Sequence, residues 1–141
     1  MYENLFSLDG RVALITGASR GIGRAVARGL AEAGADVVIT ARSEKDLELA
    51  ANEIRGAVTR RVEYYPVDMS NRADVDELAK AVLHDFGAVD VLINNAGANH
   101  PQTLLETTDT NWDAMIELNL TSQMRLTRAL APQMVARGWG R

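Results

Sequence analysis

The sequence predicts an α/β fold in which helices cover both faces of a doubly wound parallel sheet. Two observations lead to this prediction. Short apolar runs alternate with amphipathic helical segments along the whole chain. Turns rich in glycine and small residues follow the first and fourth of these runs, on either side of the point where the strand order would reverse. We expect the strand order 3-2-1-4, with the sheet truncated before a fifth strand and residues 1–141 forming a single domain.

The first strand and helix are predicted on either side of the glycine-rich turn. Val12–Ile15 is a continuous apolar run of the kind found in strands that are buried on both faces. In the following helix, Ile22, Val26 and Leu30 recur every four residues and are expected to form its buried stripe. Gly34 is a suitable residue to end that helix.

The second strand is predicted at Asp36–Thr40, and the next helix is expected to begin after the N-cap Ser43 and to stop near Gly56. The third strand is predicted at Val62–Val67. Pro66 near its end indicates an edge strand, because proline cannot donate a backbone hydrogen bond to a neighbour.

The third helix is expected to begin after Ser70 and to end at Gly87, before a fourth strand at Val89–Ile93. The outer edge of this strand is expected to be uncovered, which proteins normally avoid. The turn at 138–141 is expected to lead towards a fifth strand, so the sequence resembles the first half of a larger sheet.

A long final helix is expected after the polar loop that follows the fourth strand. Thr110 is the predicted N-cap, with Asp113 at the capping-box position. The helix is predicted to reach about Ala136. Pro132 lies inside it and is expected to kink it or end it early.

Composition excludes several classes of function. The net charge of −4 argues against general binding to nucleic acid or to a membrane surface. The chain has no cysteine, and His84 and His100 are isolated, so we expect no metal site. No signal peptide or membrane-spanning run is visible, and a cytoplasmic location is expected.

The turn from Thr16 to Gly23 carries the clearest functional signal. Gly17, Gly21 and Gly23 let the backbone approach a ligand, and the helix N-terminus that follows presents N–H groups and a positive dipole to an anion. The glycine spacing differs from both the G-x-G-x-x-G pattern and the P-loop pattern. An ordinary turn is the alternative interpretation.

The pattern Gly17-x-x-x-Gly21-x-Gly23, followed by Asn94-Asn95-Ala96-Gly97, resembles the short-chain dehydrogenase/reductase family from about Leu8 to the last residue. The sequence looks similar to 3-oxoacyl-carrier-protein reductases and to sugar-acid dehydrogenases such as gluconate 5-dehydrogenase. The resemblance implies a Rossmann-type fold and the NAD(P)-binding half of an oxidoreductase. Such enzymes move a hydride between a nicotinamide and the carbon of a carbonyl or secondary alcohol.

NADP is expected rather than NAD. The position that carries an acidic residue in NAD-binding sites is Ala41 here, and Arg42 follows it. Arg20 in the glycine turn offers a second cation for the 2′-phosphate. The alternative is that Arg42 is a solvated loop residue and that Arg20 only begins a helix.

The resemblance also assigns the remaining site residues. It implies that Asp68 contacts the adenine amino group, that Asn95–Gly97 line the dinucleotide, that Asn94 ties the strand ends together, and that Asn119 is the catalytic asparagine. From the residues alone, Asp68 and Asn94–Gly97 would be ordinary turn residues, and Asn119 a solvent-facing one. The implied cofactor contacts are Gly17, Ser19, Arg20, Gly21, Ile22, Gly23, Arg42, Asp68, Met69, Asn95, Ala96 and Gly97.

The catalytic Tyr-x-x-x-Lys pair of the family has no counterpart in this sequence. The tyrosines are Tyr2, Tyr64 and Tyr65, and no lysine follows any of them by four residues. In the family, the pair comes after a strand that would begin just beyond Arg141. A non-catalytic NADP-binding or assembly module is therefore an alternative, and a methyltransferase-type nucleotide domain is a third. A small carbonyl or alcohol substrate and a homo-oligomer are the expected partners.

Overall fold

In the computed structural model, which describes residues 5–141, strands and helices alternate as predicted. Their bounds are β1 Val12–Thr16, α1 Gly21–Glu32, β2 Asp36–Ala41, α2 Glu44–Arg55, β3 Val62–Pro66, α3 Arg72–Phe86, β4 Val91–Ile93, α4 Asp109–Ile116, a π-helical segment Glu117–Thr121 and α5 Ser122–Arg137. All pairings are parallel and the strand order is β3-β2-β1-β4, which confirms the predicted fold class.

The core lies in two layers, one on each face of the sheet. Successive residues of the central strand β1 point to opposite faces. Ala13 and Ile15 pack with residues of α1 and α2, whereas Leu14 packs with residues of α3 and α5. All three side chains are fully buried, because β1 has a strand on each side and helices above and below.

The buried face of α1 lies one residue away from the predicted stripe. Gly23, Ala27 and Ala31 are the buried residues of this helix, whereas Ile22 is 77% exposed. Because the side chains of the buried residues are small or absent, α1 packs close to the sheet. The larger residues of the predicted stripe then lie at the side of the helix and not directly against the sheet. The prediction that Ile22 belongs to the core is therefore wrong.

Two of the three predicted helix caps are shifted. Ser43 caps α2 as predicted and accepts a hydrogen bond from the N–H of residue 46 at 3.3 Å. Asn71, not Ser70, caps α3, because its amide oxygen accepts from the N–H groups of residues 73 and 74. Thr108, not Thr110, caps α4 by accepting the N–H of residue 111 at 3.2 Å.

The final helix is interrupted by the π-helical segment and not by Pro132. Pro132 is exposed inside α5, which continues to Arg137 and ends at Gly138 in a left-handed conformation. The proline frees the carbonyl of Arg128, an exposed residue, so water can bind that carbonyl and the helix need not end early. Within residues 5–141, no helix combines the length and apolar character needed to cross a membrane.

The outer edge of β4 is partly covered by the chain itself. The Arg141 N–H donates to Asp90 O at 3.0 Å, and Arg141 O accepts the Leu92 N–H at 2.8 Å. Arg141 therefore already pairs beside β4, as the first residue of a parallel neighbour would. The expectation of an uncovered edge is corrected at this position.

Candidate functional site

A cleft of about 800 Å³ lies at the carboxyl ends of the strands, where the strand order reverses between β1 and β4. Its volume is typical of sites for small-molecule ligands, which span roughly 300–1,000 Å³. The cleft is lined by all of the predicted cofactor residues, namely Gly17, Ser19, Arg20, Gly21, Ile22, Gly23, Arg42, Asp68, Met69, Asn95, Ala96 and Gly97. Residues that are far apart in the sequence thus meet at one site.

A second groove, of about 870 Å³, lies at the amino ends of the strands, among residues that precede them, including Asp9, Gly34 and Arg60. Its main charged groups already form an ion pair between Arg60 and Asp9. Sheets of this type bind ligands at the carboxyl ends of their strands, so the cleft is the better candidate although it is slightly smaller.

The backbone of the glycine turn lines the cleft at Gly17 and Gly23, which have no side chain. Gly17 has φ +66°, a conformation that favours glycine, and a Cβ there would lie 2.8 Å from the Cα of Ala96. A Cβ on Gly23 would lie 2.5 Å from both Asn95 Nδ2 and Gly17 O. Gly23 therefore permits the close contact between α1 and the turn after β4.

The N-terminus of α1 is available to an anion. Its N-cap, Arg20, makes no side-chain capping bond, and its first turn has no acidic residue. The helices α2, α3 and α4 differ, because each has a capping side chain and at least one acidic residue in its first turn. At α1 alone among these four helices, the first N–H groups and the positive dipole face the cleft without an internal partner.

Arg42 and Asp68 stand together at one end of the cleft. They follow β2 and β3, whose ends are joined by a hydrogen bond from Val67 N–H to Ala41 O at 2.8 Å. The Ser70 hydroxyl and N–H donate to Asp68 Oδ1 and lower the pKa of this carboxyl, against the effect of burial. The positive charge of Arg42 adds to the lowering. Asp68 is thus an ionised acceptor beside a guanidinium group.

Asn95 ties the ends of β1 and β4 together. Its Nδ2 donates to the carbonyl oxygens of Thr16 at 2.9 Å and of the following residue at 3.0 Å. The Thr16 hydroxyl accepts the N–H groups of Asn95 at 3.1 Å and of Ala96 at 2.9 Å. Asn94, which was expected to tie the strand ends, instead donates to the Thr127 hydroxyl on α5 at 3.1 Å. This expectation was wrong by one residue.

Asn119 lies in the π-helical segment, next to the cleft-lining residues Ala98 and Leu118, but it does not itself line the cleft. Its Nδ2 donates to Ala98 O at 2.8 Å, and its Oδ1 accepts the Ala98 N–H at 3.0 Å. A Cβ on Gly97 would lie 2.8 Å from Asn119 Oδ1, so the glycine makes room for this contact. Both polar atoms of the Asn119 side chain therefore hold the chain beyond β4, and its catalytic role stays a prediction.

The described tyrosines lie away from this site. Tyr64 and Tyr65 are on β3, and β3 and β4 are the two outer strands of the sheet. Burial, together with the Asp85 carboxylate that accepts its hydroxyl, raises the pKa of Tyr65 to about 12. Tyr65 is therefore unsuited to acid–base work near neutral pH. Tyr2 lies outside the described residues.

Several residues that line the cleft were missed by the sequence analysis, including Ser43, Asp46, Ala98 and Leu118. Ser43 was predicted only as a helix cap, although its position directly after Arg42 was a usable signal. The hydroxyl of Thr16 was also missed, since nothing in the sequence shows which backbone groups it meets.

Comparison with known proteins identifies the family. The family model for short chain dehydrogenases matches residues 11–141. The chain belongs to the short-chain dehydrogenase family. A curated relative, 2-dehydro-3-deoxy-D-gluconate 5-dehydrogenase of Pseudoalteromonas atlantica, is 42% identical over 137 residues, which cover 96% of this chain and 54% of the relative.

Solved structures of short-chain dehydrogenases superpose closely on the chain. A gluconate 5-dehydrogenase from Burkholderia cenocepacia, in complex with NADP and tartrate, has a TM-score of 0.89 and 37% identity, over 99% of this chain and 55% of its own. A 3-oxoacyl-(acyl-carrier-protein) reductase from Agrobacterium tumefaciens with NADP bound has a TM-score of 0.93 and 33% identity, over 100% of this chain and 54% of its own. The chain thus spans about half the length of these short-chain dehydrogenases, and the resemblance predicted from its motifs is confirmed.

Proposed function

We propose that the chain forms the NADP-binding half of an oxidoreductase that reduces a carbonyl group or oxidises a secondary alcohol by hydride transfer. One observation carries the choice of cofactor: the candidate cleft has Arg42, and no carboxylate, directly after β2. The NADP in the Burkholderia and Agrobacterium relatives supports it. We further propose a small-molecule substrate and a cytoplasmic location, with residues 1–141 acting as one unit.

The residues present fit NADP. The open backbone at Gly17 and the uncapped N-terminus of α1 would hold the pyrophosphate. Arg20 and Arg42 would pair with the 2′-phosphate, because guanidinium groups match phosphate oxygens geometrically. The ribose next to the nicotinamide would lie against Asn95–Gly97. When bound, the cofactor supplies the hydride, while these residues bind and orient it.

The Asn119 side chain would shape the reactive end of the cleft. Its two hydrogen bonds to Ala98 fix the chain segment that follows Gly97. We propose that Asn119 contributes to the proton pathway, as the resemblance implies. No Tyr-x-x-x-Lys pair occurs in the 141 residues.

Calorimetric titration with NADPH, NADH and S-adenosylmethionine tests the choice of ligand. We expect NADPH to bind at least about tenfold more tightly than NADH, since one charge-assisted contact is worth that much. Tighter binding of S-adenosylmethionine would favour the methyltransferase alternative. Binding of NADPH without oxidation by any carbonyl compound would favour the non-catalytic module.

We also propose that the chain associates with a second copy through the exposed apolar face of α4 and the segments after it. Trp112, Ile116, Leu120 and Met124 recur every four residues and are all exposed. Sedimentation of the chain and of Leu120→Glu tests this, with Leu49→Glu as a matched control on α2, where Leu49 is equally exposed. Dissociation caused by Leu120→Glu alone is the expected result, and a monomer in all cases would contradict the proposal.

A further inference from the structure

The side chains of Asp68 and Ser70 form a hydrogen-bonded pair that has so far been given no joint role. Asp68 is half-buried after β3, and Ser70 lies two residues later at the surface. The Ser70 hydroxyl donates to Asp68 Oδ1 at 2.7 Å, and the Ser70 N–H donates to the same oxygen at 2.9 Å. Because both bonds converge on one oxygen, they fix the orientation of the whole carboxylate.

The backbone on either side of Asp68 is fixed as well. Val67 and Met69 are 8% and 4% exposed and pack into the core layer beside α3. The Val67 N–H is bonded to Ala41 O, and Asp68 O accepts the Asn71 N–H at 2.9 Å. The carboxylate therefore keeps one position on the wall of the cleft.

The other carboxylate oxygen, Oδ2, accepts no hydrogen bond from a group within residues 5–141, although Asp68 lines the cleft. The Ser70 bonds lower the pKa of Asp68, and the Arg42 charge lowers it further, so the group is an ionised acceptor near neutral pH. An oriented acceptor of this kind is complementary to a ligand group that carries an N–H or O–H donor.

We propose that Ser70 is a positioning residue that makes the cleft selective for adenine, by holding Asp68 so that Oδ2 accepts an N–H of the base's exocyclic amino group. The inference rests on the proposed function, because it requires the cofactor to lie in this cleft. A base with a carbonyl oxygen in place of the amino group would place that oxygen, an acceptor, against Asp68 Oδ2, which is also an acceptor. Such a base binds more weakly, because a site built for a donor rejects an analogue that lacks it.

Calorimetric titration of the full chain with NADPH, and with its hypoxanthine analogue, tests this role. The unsubstituted chain is expected to bind NADPH about tenfold more tightly than the analogue. Ser70→Ala is expected to reduce this ratio by about three- to tenfold, because the freed carboxylate can rotate. Ser70→Thr keeps the hydroxyl and is expected to restore the ratio.

Ser7→Ala is the matched control. It removes a hydroxyl that accepts the Asp9 N–H at the amino ends of the strands, away from the cleft. It should leave the ratio unchanged. Ser70→Gly is measured beside Ser70→Ala, so that a folding defect of one variant still leaves a result. If both ligands weaken equally, or if the ratio does not change, the inference is overturned and the proposed function stands. If the unsubstituted chain fails to bind NADPH, the proposed function is overturned together with the inference.

Discussion

The Thr16 hydroxyl accepts the Ala96 N–H at 2.9 Å and thereby joins the end of β1 to the turn after β4. The same oxygen accepts the Asn95 N–H at 3.1 Å and donates to Ile93 O at 3.4 Å. Thr16 is fully buried, so water cannot replace these partners. The Thr16 hydroxyl and the Asn95 side chain therefore join the two walls of the cleft together.

Thr16→Val keeps the shape of this side chain but removes its hydroxyl. We expect it to destabilise the chain by about 1–3 kcal/mol, because the buried Ala96 N–H loses its acceptor, while the Asn95 N–H keeps only its 3.1 Å bond to Ile93 O. NADPH binding should weaken as well, since the Asn95–Ala96 wall loses its anchor. Urea unfolding and calorimetry measure the two effects.

Thr40→Val is the matched control for this substitution. Thr40 pairs with Thr16 in the sheet register, and it is also fully buried. Its hydroxyl makes one hydrogen bond, a donation to Tyr65 O at 2.7 Å, among the described residues. We expect a cost of about 1 kcal/mol for this variant. Equal costs for the two variants would contradict the special role of Thr16.

Gly23 and Gly29 lie on the same helix and should respond to alanine in opposite ways. A Cβ on Gly23 would lie 2.5 Å from the backbone oxygen of Gly17, whereas a Cβ on Gly29 meets nothing within 4 Å. Gly23→Ala should therefore destabilise the chain by about 1–3 kcal/mol. Gly29→Ala should stabilise it by about 0.5–1 kcal/mol, through higher helix propensity. Urea unfolding decides, and similar stability of the two variants would contradict the expectation.

Much of the site was predictable from the sequence, because parallel strands place their carboxyl ends at one edge of a sheet. Once four β-strands and their order are inferred, the turns after β1, β2, β3 and β4 must come together. This is why Gly17, Arg42, Asp68 and Asn95 line one cleft although they are far apart in the sequence. The chemistry of each residue then follows from its type.

The differences from the prediction arise where neighbouring residues compete for one role. Two adjacent stripes on α1 have the same period, and only packing against the sheet decides that Gly23 is buried and Ile22 exposed. Ser70 and Asn71 are both good helix caps, and only the backbone path selects Asn71. The π-helical segment around Asn119 has no signal in the hydrophobic pattern.

Arg42→Asp should reverse the preference for the cofactor. The substitution removes the guanidinium that we propose for the 2′-phosphate and puts a carboxylate in its place. We expect affinity for NADPH to fall by about 10- to 100-fold while affinity for NADH holds or rises. Lys45→Asp is the control, because Lys45 is exposed on α2 and does not line the cleft. If NADPH affinity falls equally in both variants, the loss comes from the change in net charge and not from a contact between Arg42 and the 2′-phosphate.

At the opposite end of the sheet, the buried Asp90 joins β1 to α5. Its Oδ2 accepts the Val12 N–H at 2.8 Å, and its Oδ1 lies 3.2 Å from Arg11 Nη1 and 2.9 Å from Arg137 Nη1. Burial of the carboxyl opposes ionisation, but the bonds from Val12, Arg137 and Arg11 outweigh it and lower the pKa of Asp90. The folded state therefore prefers the charged form more strongly than the unfolded state does.

A carboxyl whose pKa is lowered in the folded state stabilises the chain at pH values above its unfolded-state pKa of about 4. This contribution is lost as the pH falls towards the folded-state pKa. Asp90→Asn should therefore cost about 2 kcal/mol at pH 6, since both arginines are over a third exposed and water replaces part of the bond energy. The cost should shrink below about pH 4. Urea unfolding at pH 6 and pH 3 measures it, with Asp113→Asn on α4 as the exposed control. A cost that is the same at both pH values would mean that the charge of Asp90 does not hold β1 to α5.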